Sequence, residues 1–196
     1  MSSIRKEKNK LFNFILGIVP ISNKDAKDIV DTFQFKELKK GDFLLQKNHF
    51  SDDYFYLENG LMRTFLFDLK GNEITTDFFI EDNIVFDVTC FFNRVRSEVN
   101  IQAVTDCTGY RISYEQLNTL FHNKPAFRDF GRAILVKEFI ASKKRGTSII
   151  NKTAEERYGD LLETRPEILK YAQLKHIASY LGITDSTLSR LRKKMQ

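Results

Sequence analysis

From about Phe35 to Ser113 the chain runs in short stretches of alternating apolar and polar residues, separated by turn residues. The stretches "DFLLQ", "DDYFYLE", "LMRTFLFD", "EITTDFF", "IVFDVTCFF", "EVNIQAV" and "TGYRIS" each read as a strand. Asn59 with Gly60 and Gly71 with Asn72 are the strongest turn signals, because these residue types tolerate positive φ. About seven strands at this spacing predict an antiparallel sandwich or barrel. The chain carries 18 Phe and no Trp, and Phe in strands of period two belongs in a core rather than in a ligand box.

After "PAFRD" the period becomes helical. Phe127, Phe130, Ile134, Leu135, Phe139, Ile140, Ile149 and Ile150 recur as an apolar stripe on a helix of about thirty residues, roughly 45 Å long. One small sheet cannot cover that length, so the stripe predicts a partner. A coiled-coil-like seam between two copies is the economical one, with Phe127, Phe130, Ile134 and Phe139 in the dimer interface. Gly131 and Gly146 lower helix propensity there, yet small residues let two helices approach closely. "TAEE" places Thr153 and Glu156 as a capping box for the next helix, and Pro166 breaks the chain before a final pair of helices.

That pair is "LKHIASYLGITDSTLSRLRKKMQ". Leu174, Ile177, Ala178 and Leu181 share one face of its first helix, and Gly182 can take the left-handed conformation that ends it. Thr184 is the N-cap candidate for the second helix, and Asp185 suits the positive end of its dipole. Ile183, Leu188 and Leu191 then face inward, while Ser186, Ser189, Arg190, Lys193 and Lys194 face out. Two short helices with a Gly-containing turn and a basic outer face predict a helix-turn-helix, whose covering partner is the major groove of double-stranded DNA.

Charge distribution agrees. Residues 137–196 hold 13 Lys/Arg against 7 Asp/Glu, and the remainder holds 18 against 19, so the C-terminal part carries about +6 and the rest about −1. No apolar run reaches the roughly 18 residues that span a bilayer. "LFNFILGIVPI" follows the basic "RKEKNK" like a secretory leader, but no small-residue cleavage pattern follows it, and "PISNKDAKDIVDTF" continues as an amphipathic helix. Cys90 and Cys107 are too few for a disulfide framework and form no metal-like pair, so a cytoplasmic location and no membrane partner are expected. Catalysis is not expected, for want of a glycine-rich phosphate loop, a Ser-His-acid order or Cys/His ligand spacing. Asp82 and Asp87 would fall on opposite faces of a strand.

The order of a β-rich domain, a long helix and a helix-turn-helix resembles the Crp/Fnr superfamily of transcription regulators. "AEERYGDLLETRPEIL" and "LKHIASYLGITDSTLSRLRKK" look like the versions common in its Bacteroidetes branch. "KKGDFLLQ" and "YFYLENGLMRTFLFDLKGNE" match the opening strands of its cyclic-nucleotide-binding β-roll. The resemblance implies an α+β chain with a double-stranded β-roll and N-terminal helix over residues 1–122, a dimerisation helix over 123–152 and a DNA-reading domain over 153–196 that lacks an obvious wing. It also implies a homodimer, with RNA polymerase as a further partner. Arg190 takes the place of a base-reading Arg, with Thr184, Ser186, Thr187, Ser189, Lys193 and Lys194 as its DNA-binding neighbours. A Glu is common in the family where Ser186 stands, so no base preference carries over.

Family members that bind cyclic AMP pair a Gly-Glu with an Arg-Ser or Arg-Thr about ten residues later. Here Arg96 and Ser97 supply the second half, but ten residues before Arg96 stands Phe86, preceded by Val85. Phe86 has no acceptor for a ribose hydroxyl, and Val85 lacks the freedom of Gly. The cassette is therefore degenerate, cyclic AMP is not the expected effector, and some other small molecule is left open. A shifted cassette of Asp87, Arg96 and Ser97 is the alternative effector site, as is a cyclic-nucleotide module with no gene target of its own. No N-terminal Cys set suits an iron-sulfur cluster, and only His49, His122 and His176 are on hand for haem, so no cofactor or metal is expected.

Overall fold

The computed structural model describes residues 8–195. "LFNFILGIVPI" contributes most of α1 (Asn9–Ile18), which buries Leu11 and Ile15. Arg5 and Lys6, which open the basic stretch before it, lie outside the described residues. In α2 (Asn23–Thr32) the Ser22 hydroxyl accepts from the backbone N–H of Asp25, an N-cap.

Eight strands follow: β1 (Gln34–Leu38), β2 (Phe43–Leu45), β3 (Asp53–Asn59), β4 (Met62–Phe67), β5 (Glu73–Phe79), β6 (Asn83–Val85), β7 (Asn100–Ala103) and β8 (Cys107–Ser113). They form two antiparallel sheets, in the orders β1-β8-β3-β6 and β2-β7-β4-β5. Phe55 and Leu57 of β3 face Met62, Ile101 and Ala103 across the gap between the sheets. Tyr54 and Tyr56 of the same strand point the other way, into a layer of helices. That two-sided burial is why β3 reads as a nearly unbroken apolar run. Each such Phe or Leu contributes about 1.5–3 kcal/mol through burial.

Two elements differ from the sequence pattern. "QFKEL" forms the edge strand β1; its polar, mostly exposed residues hide it from a hydrophobic search, and charge on an edge strand discourages pairing with other chains. "IVFDVTCFF" is not one long strand. Only β6 is extended, and α3 (Val88–Asn93) follows because the Asp87 carboxylate accepts from the N–H groups of Thr89 and Cys90. Asp82 and Asp87 therefore flank β6 rather than sharing a strand, and Asp82 accepts from the Tyr56 hydroxyl.

Ser113 and Gln116 make a capping box that opens α4 (Tyr114–Asn123), and Pro125 sits at the first turn of α5 (Pro125–Asn151). Phe127, Phe130 and Ile134 do not lie on an exposed seam. They are 0%, 0% and 2% exposed, packed with Leu11, Ile15 and Leu117 in the N-terminal core. A Cβ added to Gly131 would lie 2.7 Å from the Phe121 ring, so the close approach served by this glycine is between α4 and α5 of one chain. Of the four residues expected at a dimer seam, Phe139 alone is exposed, at 67%. Val136, at the middle of α5, and Ile140, Ile149 and Ile150, in its C-terminal half, are exposed as well.

Thr153 and Glu156 form the expected capping box of α6 (Ala154–Thr164). Pro166 ends α6 but also starts a further short helix, α7 (Pro166–Tyr171), as its fixed φ suits a first helical position. Then come α8 (Leu174–Leu181) and α9 (Asp185–Met195). Their core joins Ile168, Ile177, Leu181 and Leu188 to Leu61 and Phe78 of the β-roll, so the last three helices are packed onto the sheets.

Candidate nucleic-acid interface and effector cavity

Gly182 ends α8 with φ 66° and ψ 36°, and the N–H of Ile183 bonds back to the Ala178 carbonyl at 3.0 Å. Two residues on, the Thr184 hydroxyl accepts from the N–H of Thr187 at 3.3 Å and caps α9. Leu188 is fully buried, and Ile183 and Leu191 pack against the same core. Anchoring that face leaves Thr184, Ser186, Ser189, Arg190, Lys193 and Lys194 exposed, with Thr187 half-buried. Within this surface Arg190 folds back on its own helix, its Nη2 donating to the Thr187 hydroxyl at 3.3 Å. Lys194 donates to Glu155 of α6 at 2.7 and 2.9 Å. The cluster Arg192, Lys193 and Lys194 also offsets the negative C-terminal end of the helix dipole.

The inward side of α8 packs on β5, the edge of its sheet. The N–H of Thr75 donates to the Ser179 hydroxyl at 3.1 Å, so a side chain occupies a donor that an edge strand would otherwise leave open. Phe78 and Tyr180 meet edge to face at 5.2 Å. Beside them His176 lies buried with Nε2 3.4 Å from Glu73 Oε2, and neither ring nitrogen makes a hydrogen bond. Glu73 is already engaged by the buried Arg63 at 2.5 Å. Burial, and secondarily the positive charge of Arg63, lower the His176 pKa to about 4 against the opposing pull of Glu73.

A cavity of about 610 Å³ opens between the second sheet, the segment from Ile84 to Val88, and α5. Thr64, Thr76, Asp77, Asp87, Glu138 and Arg145 are among its polar wall groups, with Phe79, Ile84, Phe86, Ile101 and Leu135 as apolar wall. Burial raises the carboxyl pKa of both Asp77 and Glu138. The lining thus holds three carboxyls against the single cation Arg145.

Residues 35–124 match the family model described as "Cyclic nucleotide-binding domain". The transcriptional activator protein Anr of Pseudomonas protegens is 24% identical over 192 residues, covering 91% of this chain and 78% of its own. Among solved structures, CLP of Xanthomonas campestris, described as a c-di-GMP responsive global regulator, superposes with a TM-score of 0.70 at 17% identity, covering 89% of this chain and 92% of that one. FixK2 of Bradyrhizobium japonicum gives a TM-score of 0.71 at 16% identity, covering 83% and 84%. Residues 35–124 thus form a domain of the cyclic-nucleotide-binding type, and the chain shares the fold of these solved regulators.

In this chain the three effector candidates part company. Asp87 and Ser97 meet, with the Ser97 hydroxyl donating to Asp87 Oδ2 at 2.7 Å. Arg96 turns outward instead, its Nη1 donating to the Asn48 carbonyl at 2.7 Å and its guanidinium 5.3 Å from the Phe50 ring. Asp87 alone of the three lines the cavity. Phe86, at the register of the missing Glu, packs against Tyr54, Phe91 and Phe92.

Sequence reasoning missed Glu138, Ser142 and Arg145, which line the cavity from α5. Their signal was present: with Leu135 they recur at three- and four-residue steps, a mixed stripe beside the apolar one. It also missed Arg63, Thr75 and Ser179 at the junction of α8 with β5. Two of these, Arg63 and Thr75, are buried polar residues inside strands, and such residues are informative because burial demands partners.

Proposed function

We propose that the protein is a dimeric, sequence-specific DNA-binding transcription regulator in which α9 enters the major groove. The observation that carries this reading is the division of α9: Leu188 anchors one face, while Ser186, Ser189, Arg190 and Lys193 are exposed on the other. Arg190 reads a base, with Ser186 and Ser189 beside it, and Thr184, Thr187, Lys193 and Lys194 hold backbone phosphate. Two copies pair through α5 from its middle to its C-terminal end, where Val136, Phe139, Ile140 and Ile150 expose apolar surface. Their recognition helices meet half-sites about one helical turn apart, and the protein works in the cytoplasm.

The β-roll cavity serves as the effector site and does not take cyclic AMP. A cyclic phosphate there would face Asp77, Asp87 and Glu138 with Arg145 as its one cation. A neutral or hydrogen-bond-donating ligand matches the lining better. The test is selection from random duplex DNA, followed by binding of the selected operator in the presence and absence of cyclic AMP. Recovery of a pseudo-palindrome, bound with unchanged affinity when the nucleotide is added, is expected; no enriched sequence would refute the DNA-reading role.

A second reading keeps a shifted nucleotide cassette, and the 2.7 Å bond between Asp87 and Ser97 favours it by holding the two together. Calorimetric titration with cyclic AMP and cyclic GMP separates the two readings. Saturable binding at about micromolar levels supports the cassette, and no heat at several temperatures removes it.

A further inference from the structure

Between the end of α5, α6 and the end of α8 lies a second cavity, of about 370 Å³, and no residue of α9 borders it. Its lining includes five cations and one carboxylate, Asp160. Two of the cations are compensated: Lys152 pairs with Asp160 at 2.6 Å, and Arg165 lies 3.6 Å from Asp77. Among the described residues no carboxylate lies within 4.0 Å of Lys144, Arg145 or Arg157.

The guanidiniums of Arg145 and Arg157, neither with a carboxylate within 4.0 Å, are held in place rather than loose. Arg145 donates through Nη2 to the Tyr180 carbonyl at 3.2 Å and lies 4.4 Å from the Tyr180 ring. Arg157 donates through Nε to the Leu181 carbonyl at 2.9 Å and through Nη1 to that of Lys152. Capping the last carbonyls of α8 explains part of this arrangement. It leaves the Nε of Arg145 buried with no acceptor. A buried donor without a partner is costly. Ser148 adds a hydroxyl, while Ile149, Leu161 and Tyr180 supply apolar wall, and the volume falls in the small-molecule range.

We propose that this cavity binds a phosphate-bearing small molecule, held by Lys144, Arg145 and Arg157. The guanidiniums present fixed forks that match phosphate oxygens, and Lys144 adds a point charge. The bound anion bridges α5 and α6, which are joined through Lys152 and Thr153. This site shares Arg145 with the acid-lined β-roll cavity but draws Lys144 and Arg157 from outside it, and it does not depend on DNA reading by α9.

The test is calorimetric titration of the full-length protein with inorganic pyrophosphate, against sodium chloride at matched ionic strength. Saturable binding at about 1 mM or tighter is expected. Arg157→Gln weakens it about tenfold and Lys144→Gln about threefold, whereas Lys193→Gln, on α9, leaves it unchanged. Lys144 is exposed, so its variant remains informative even if Arg157→Gln fails to fold. No saturable heat beyond the salt control overturns the proposal, as does an equal loss in all three variants. The source of phosphate is separated by competition with an unrelated duplex. If the duplex displaces pyrophosphate, and its own binding is weakened by Lys144→Gln as much as by Lys193→Gln, the cations belong to a DNA-backbone footprint and the proposal fails.

Discussion

Replacing His176 by Leu should remove a defined part of the acid sensitivity of this protein. The ring is 7% exposed and lies against Glu73 and Arg63 of the β-roll, with Lys175 as its charged neighbour on α8. Its pKa falls from 6.5 to about 4 on folding. Above about pH 7 the histidine is neutral in both states and contributes no pH dependence. As pH falls below 6.5 the unfolded chain takes up a proton that the folded chain refuses, so stability declines until the folded value is reached. Between about pH 7.5 and 4.5 the loss amounts to roughly 2.5 kcal/mol, at 1.36 kcal/mol per unit of pKa difference. Urea denaturation followed by circular dichroism at several pH values, on both proteins, measures it. Other groups, including the raised Asp77 and Glu138, titrate in both and cancel in the difference. At pH 7.5 His176→Leu should be at least as stable as the parent, since it deletes two unpartnered buried nitrogens. Parallel pH profiles for the two proteins would refute the reasoning, as would a parent that gains stability relative to the variant on acidification.

Three further outcomes follow from the same geometry. Thr153→Ala removes the hydroxyl half of the α6 capping box, leaving the bond from its backbone N–H to Glu156, and should cost about 1 kcal/mol in thermal or urea unfolding; no change would mean the cap is immaterial. Phe127→Ala should cost about 3–5 kcal/mol by opening a core cavity. Phe139→Asp, by contrast, should leave the fold intact and shift sedimentation from dimer to monomer. A Phe127 variant that dissociates while keeping its stability would reverse the assignment of the two faces. Asp87→Ala loses the α3 cap and the bond to Ser97 and should cost about 1–2 kcal/mol, against less than about 0.5 kcal/mol for Arg96→Ala; equal costs would contradict the structure.

What was legible in the chain was whatever depends on local pattern. Gly182, Thr184 and Leu188 lie close together in sequence, and the turn, cap and anchor they imply are all present. The capping box at Thr153 is likewise a three-residue matter. Less legible was anything that depends on which distant surface covers a face. The stripe on α5 was read as one seam, but α1 and α4 cover its first half, so Phe127, Phe130 and Ile134 are used within the chain. Leu174 was expected on the buried face of α8 and is 39% exposed, whereas His176 and Tyr180 are buried because β5 covers a second face. A cap overrode strand propensity at Asp87, where a single carboxylate turned "DVTCFF" into a helix. Arg96 and Ser97 are adjacent in sequence, yet one faces out and the other in, and spacing alone did not separate them.

The most direct test of the DNA-reading role is fluorescence anisotropy on an operator selected from random duplex DNA, comparing the parent with Arg190→Ala and Lys193→Ala across a salt series. Arg190→Ala should cost about 1–3 kcal/mol and relax discrimination at one position of each half-site, while Lys193→Ala weakens all sequences alike and flattens the salt slope. Unchanged affinity and specificity in the Arg190 variant, on an operator that the parent binds tightly, would contradict the placement of α9 in the major groove.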